Sequence, residues 1–299
     1  MPIEENQASN IKLNEPLDKY CTYRIGGPAK CLFSAADTDE IIAGLEVARE
    51  NRFPFFVLGG GSNVLFPDCG FPGLVLKIEN ISIEPDGGEV ALRLVVGAGT
   101  SLAMLARYAR DNSLTGMEWA AGIPGTVGGA IRGNAGAFHQ EMSEGVAEVR
   151  AIEIGPQEIK KIILTKSECK FSYRESVFKH SKNLVIVSAV IRLRKGRAED
   201  IKSEMDEYLA KKSTTQPLEY PSAGSVFINP PGFFAGKLIE DCGFKGKTIG
   251  GAQVSEKHSN FIVNRGGATA QNVKDLIQQI KTAAKEKFGV EMKEEIEIV

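Results

Sequence analysis

The chain has 299 residues, 42% of them hydrophobic and 25% charged, which is an ordinary globular composition at a length that favours two domains over a single core. A formal net charge of -2 with no Lys/Arg-rich run provides no field for a phosphate backbone, so nucleic acid is excluded as an expected partner. The longest apolar stretches, 53–58 and 184–191, fall well short of the roughly 18 residues that a bilayer span requires.

The first residues, with Glu4 and Glu5, do not resemble a secretory signal. The expected compartment is therefore the cytoplasm, and the expected state a monomer. Five cysteines (Cys21, Cys31, Cys69, Cys169, Cys242) are odd in number and contain no Cys-x-x-Cys pair, so they are expected to be reduced and structural. His139, His180 and His258 are too scattered to suggest a metal site, and no metal is expected. No period of 20 to 50 residues repeats, which excludes solenoids and propellers.

In chain order, residues 37–51 place Ile41, Ile42, Leu45 and Ala48 on one helical face, behind an Asp37/Glu40 pair that resembles a capping box. A short apolar strand over 53–58 runs straight into Gly59, Gly60, Gly61, Ser62 and Asn63. Residues 74–97 alternate as strands about a turn at 85–88, and 101–112 reads as a helix with Leu102, Leu105, Ala106 and Ala109 inward. Glycine, alanine and proline then dominate 116–136, and strands follow around 149–154 and 184–193. The polar Arg194-Lys-Gly-Arg197 is the expected domain boundary, ahead of a helix that places Ile201, Met205, Tyr208 and Leu209 on one face and is limited by Pro217. A last helix over 269–288, with Val273, Leu276, Ile277, Ile280 and Ala284 inward and Gly289 as its C-cap, precedes an alternating strand over 290–299. Helix, strand and glycine loop in this order predict a mixed α/β chain.

Two glycine-rich segments carry the chemistry. Gly59 to Asn63 can present successive backbone N–H groups to a phosphate, although a plain turn has the same composition. It is not the dinucleotide fingerprint, since Val64 stands where the third glycine belongs. The segment around Pro124, Gly125, Thr126, Gly128, Gly129, Asn134 and Gly136 is a second such loop, and the pair together suggests a dinucleotide cofactor; tight strand packing is the alternative. Gly246-Lys247-Thr248 fails as a P-loop, because Asp241 occupies the first glycine position and Ile249-Gly-Gly251 follows instead of a helix.

Pro124-Gly-Thr-Val-Gly-Gly129, Phe171-Ser-Tyr-Arg174 and Tyr220-Pro-Ser-Ala-Gly-Ser-Val-Phe227, with Arg24-Ile-Gly-Gly27, Gly59-Gly-Gly-Ser-Asn63, Gly250-Gly-Ala-Gln-Val254 and Glu294-Glu-Ile296, resemble the UDP-N-acetylenolpyruvoylglucosamine reductases, in that family's order and over nearly the whole chain. The short 197–220 segment is similar to the subclass lacking a tyrosine loop over the substrate. The resemblance implies an FAD-binding portion of the vanillyl-alcohol-oxidase type over 1–196, in two subdomains divided near 73, and a substrate domain over 197–299. It also implies that NADPH reduces non-covalent FAD and leaves, and that the enolpyruvyl ether of UDP-N-acetylglucosamine enters the same pocket and takes hydride from the flavin N5 at C3.

Negative charge left at C2 must be met by preorganised groups. By resemblance Arg174 meets it, Ser225 gives the proton to C2, and Glu295 stands near the enolate with Arg174. Strand alternation makes Glu294 the carboxylate on the apolar face, and a one-residue slip exchanges it with Glu295. Ile228 replaces the lysine common in the family's Phe-Lys-Asn-Pro, while Lys212 and Thr215 stand where arginine and lysine are expected. The substrate contacts expected are accordingly Asn229, with Lys237 or Lys245 recruited to the diphosphate. Another flavin oxidoreductase of the same fold, or a non-catalytic nucleotide-sugar binder, are the alternatives.

Overall fold

The computed structural model describes residues 10–87, 92–155 and 157–299. Glu4, Glu5 and Gly88 lie outside the described residues. Eight helices among them are labelled here α1 (Thr38–Glu50), α2 (Leu102–Asp111), α3 (Val127–Arg132), α4 (Met142–Gly145), α5 (Val177–His180), α6 (Ala198–Thr215), α7 (Ala235–Asp241) and α8 (Ala270–Phe288).

The chain divides into two compact units that do not follow sequence order. The first holds Leu32–Gly60 and Gly73–Lys211 with residues 10–12; the second holds Leu13–Cys31, Gly61–Pro72 and Lys212–Val299. The division in α6 falls between Lys211 and Lys212, not at the polar segment 194–197, so compactness and composition draw different lines.

In the first unit, Phe55 to Leu58 pair in parallel with Leu74 to Lys77, Phe55 opposite Leu74 and Leu58 opposite Lys77. Asp37 caps α1 by accepting from the N–H groups of Asp39 and Glu40. Glu40 reaches back to the N–H of Ala36 and not to that of Asp37, so the expected capping box closes one residue early. Ile41, Leu45 and Ala48 are buried and Ile42 is half-buried. Gly44 takes its place inward, because a Cβ there would come within 2.8 Å of Leu76.

The second sheet of this unit is antiparallel, in the order Ile159–Thr165, Val146–Ile154, Leu184–Arg192, Arg93–Gly97, Ile83–Pro85. The helix α2 buries the expected Leu102, Leu105, Ala106 and Ala109 beneath the Ser101 N-cap. In α6 the expected face is corrected: Ile201 and Met205 are buried, but Leu209 is 41% exposed, and Lys212 continues the spacing inward at 7% exposure.

Burial pushes the Lys212 ammonium down from 10.5 to about 8. Below pH 8 both folded and unfolded chains hold this proton, and the cost of burying the charge, up to about 3 kcal/mol, is paid in full. Between pH 8 and 10.5 the unfolded chain still binds it while the folded chain has released it, so stability rises with pH through that window. Lys212→Met is expected to raise the urea-unfolding free energy at pH 7 by up to about 3 kcal/mol and to flatten the rise between pH 8 and 10.5. An unchanged slope in urea titrations across that window would show the lysine to be solvated.

In the second unit, Thr248–Ile249, Ala252–Val254 and Ile262–Asn264 form an antiparallel sheet. Thr269 caps α8, the five expected residues are buried along it, and Gly289 ends it in the left-handed region at φ 68°. The expected strand over 290–299 is shorter than its alternation suggests. It reduces to a bridge from Glu294 to Phe227 and a two-residue strand, Glu297–Ile298, parallel to Val64–Leu65, and Ile298 is 40% exposed. No helix among the described residues is long and apolar enough to cross a membrane, and no cluster of three potential metal ligands occurs there.

Candidate active site

The glycine loops of the first unit lie against each other. A Cβ on Gly59 would stand 2.5 Å from Thr126 Oγ1, and one on Gly60 would stand 2.8 Å from Gly125 Cα, so both positions exclude a side chain. Strand Phe55–Leu58 delivers the first loop, and the Lys77 ammonium holds the Gly59 carbonyl at 2.7 Å. The second loop is fixed through the Gly125 carbonyl, which accepts from Leu102 N, and through Val127 N and Gly128 N, which donate to Thr100 and Ala98. Thr126 then caps α3. Packing thus accounts for Gly59 and Gly60, as it does for Gly128 on Ala98 and Gly136 on Gln140.

It does not account for Gly129. A Cβ there meets only the cap hydroxyl of Thr126, at 3.6 Å, and the residue is exposed. With Gly60 and Pro124 it forms an exposed stretch without bulky side chains on which a flat, charged cofactor can rest, and an FAD fits those residues. Gly60→Ala is expected to lower FAD content and to destabilise the protein by about 2 kcal/mol, because backbone must shift by several tenths of an ångström. Wild-type FAD content and melting in this variant would refute the need for close loop contact.

Asn134 has partners within the protein. Expected at the cofactor, it has no exposed surface: its Nδ2 donates to Ser172 O at 2.9 Å and its Oδ1 accepts from Ser143 N at 3.0 Å. Ser172 opens the tight turn that Arg174 occupies, closed by reciprocal bonds between Ser172 and Glu175. The Arg174 guanidinium donates to Gly136 O at 2.8 Å and to Asn134 O at 3.5 Å.

In the second unit, Gly61 is buried at φ 64°, where a Cβ would strike Tyr20 O at 2.0 Å, and Asn63 Nδ2 donates to the Glu295 carbonyl at 3.0 Å. Ser62 is half-buried beside them. Ser225 follows Gly224, which sits at φ 76° with open space where a Cβ would point. An extended run from Ser225 bridges Phe261 on one side, and Phe227 bridges Glu294 on the other. Glu295 N donates to Val226 O at 2.7 Å, so the backbones of Ser225 and Glu295 are brought close.

The Glu294 carboxylate is 2.8 Å from Lys281 Nζ, which explains how a charge stands on the apolar face of that strand. Asn260, absent from the sequence expectations, is 4% exposed and clamps Phe227 by accepting from its N–H and donating to its carbonyl. Asn229 is exposed and accepts from Ala235 N. On α7, Lys237 pairs with Asp241, and Lys245, beyond the helix, pairs with its Glu240.

The frame and its bare glycine loops define an FAD-binding α/β protein, and residues 29–155 match the family model "FAD binding domain". Residues 216–299 match the "UDP-N-acetylenolpyruvoylglucosamine reductase, C-terminal domain". A UDP-N-acetylenolpyruvoylglucosamine reductase of Caldanaerobacter subterraneus subsp. tengcongensis is 44% identical over 97% of this chain and 93% of its own. One from Latilactobacillus sakei is 43% identical over 99% and 96%. The crystal structure of UDP-N-acetylenolpyruvylglucosamine reductase (MurB) from Thermus caldophilus superposes with a TM-score of 0.76, at 32% identity over 96% of this chain and 97% of that one. The chain belongs to the UDP-N-acetylenolpyruvoylglucosamine reductase family.

Proposed function

We propose that this enzyme reduces the enolpyruvyl ether of UDP-N-acetylglucosamine to UDP-N-acetylmuramate with NADPH, and that Arg174, Ser225 and Glu295 are its catalytic residues. The observation that carries this reading is family likeness over 97% of the chain. Bound FAD links the two-electron donor to the acceptor. The residues of this chain have the remaining tasks.

Arg174 meets the charge that develops at C2 and in the substrate carboxylate, since a guanidinium stays protonated and grips a carboxylate in two places. Ser225 gives its hydroxyl proton to C2. A serine is a weak acid in water and acts here only if held at that carbon, which a pinned backbone from Val226 to Phe227 favours. Glu295 is preferred to Glu294 as the third residue, because Ile296 follows it as an apolar residue follows the family's glutamate.

Residues Gly59 to Asn63 and Pro124 to Gly129, with Gly136, are assigned to the cofactor. The functional division keeps 1–196 for FAD and 197–299 for substrate, as the two family models flank that line. Asn229 is assigned to the substrate, and Lys237 and Lys245 to its diphosphate after release from their carboxylates. NADPH and the enol ether share one pocket in turn, and the reaction belongs to the cytoplasm of a cell that makes peptidoglycan.

Purified protein is expected to be yellow, to bleach with NADPH and to recover its colour on adding the enol ether. Protein that takes up no FAD ends the reading, and bleached protein indifferent to the enol ether makes it a flavin oxidoreductase of another substrate.

A further inference from the structure

Arg174 is held in an unfavourable backbone conformation. At φ 59° it occupies the left-handed region, in the third position of a four-residue turn where glycine or asparagine is usual. A residue of this size pays roughly 1–2 kcal/mol there, and such strain persists only where neighbours over-determine it. The neighbours are specific. Asn134 Nδ2 holds Ser172 O, at the start of the turn, and Lys179 Nζ holds the carbonyl of Arg174 itself at 3.0 Å while pairing with Glu175.

The guanidinium is gripped by the same strip of chain. Its Nη2 donates to Gly136 O at 2.8 Å, and its Nη1 to Asn134 O. Asn134 thus fixes both ends of the arginine, the turn through its side chain and the charged group through its carbonyl. Its own orientation is set. Oδ1 accepts from Ser143 N and Nδ2 donates to Ser172 O, and reversing the amide would oppose donor to donor and acceptor to acceptor. At φ 41° the residue is itself left-handed, which asparagine tolerates better than most side chains.

We propose that Asn134 is a positioning residue for Arg174, acting on catalysis only by fixing where the guanidinium sits. The proposal rests on the reading that Arg174 acts on the substrate. Asn134→Asp keeps size and acceptor but turns a carboxylate oxygen toward Ser172 O. In the FAD-loaded enzyme it is expected to leave bleaching by NADPH within about 3-fold of wild type, and to slow recolouring by the enol ether on the order of 100-fold, the size of effect that misplacing a reacting group by an ångström can have.

In an Arg174→Lys background the same change is expected to cost less than about 3-fold, since the group being positioned is already altered. Nitrogen-15 spectra supply a readout apart from turnover. The Arg174 Nη signals, slowed in rotation by their two carbonyls, should average in Asn134→Asp. If that variant fails to retain FAD, Lys179→Met, which loosens the turn from outside, is expected to slow recolouring alone by about 5-fold.

Multiplicative losses in the double variant, or equal slowing of bleaching and recolouring, overturn the proposal. Arg174→Lys with normal recolouring defeats instead the assignment of Arg174. Slow Arg174→Lys beside a normal Asn134→Asp defeats only the role of Asn134.

Discussion

Replacing Ser225 by alanine is expected to leave flavin bleaching by NADPH unchanged and to slow recolouring by the enol ether at least on the order of 100-fold, the least that losing a general acid costs. The two half-reactions separate because only the second needs a proton at carbon. The bridge to Phe261 and the bonds through Val226 and Phe227 use main-chain atoms, so they survive the substitution and the loss is confined to one hydroxyl. Stopped-flow absorbance resolves the two steps in one preparation. Recolouring at the wild-type rate would remove Ser225 from the mechanism.

Helices whose apolar residues repeat at helical spacing were legible in the sequence. Those of α2 and α8 are buried as read, because capping and amphipathicity are local properties. Where the periodic face ended on a charge, the reading stopped too soon. In α6 Lys212 follows Met205 and Tyr208 at helical spacing, yet a lysine is ordinarily assigned to solvent. The terminal alternation over 290–299 misled in the opposite way, since alternation requires a partner strand and, among the described residues, its ladder partners are Val64–Leu65 and Phe227.

The candidate site was legible by its motifs and illegible in its supports. The motifs name Arg174, Ser225 and Glu295, but what holds each is distant in sequence. Asn134 lies 38 residues from Ser172, Asn63 lies 232 from Glu295, and Asn260 lies 33 from Phe227. Asn134 was expected at the cofactor because it sits among glycines; its side-chain partners, Ser172 and Ser143, are not legible in that setting. The glycines carried two meanings at once. Those at 59 and 60 answer to packing between loops, and the one at 129 to open space, a distinction composition cannot make.

Asn260→Ala is expected to cost about 4 kcal/mol of stability. Its amide accepts from Phe227 N at 3.0 Å and donates to Phe227 O at 2.8 Å, and both partners belong to a residue only 1% exposed. Alanine would leave a buried donor and a buried acceptor without partners, at roughly 2 kcal/mol each. Asn260→Asp restores the acceptor and not the donor, and is expected to recover about half of the loss at neutral pH. Amide exchange at Phe227 is the more direct measurement, with its protection falling about 1000-fold in the alanine variant if the local opening free energy drops by that 4 kcal/mol. The same run of chain carries Ser225 two residues upstream, so recolouring should slow as well while bleaching does not. Undiminished protection would mean that the main-chain bond from Val226 N to Asn260 O suffices to hold the strand, and that the side chain is dispensable to it.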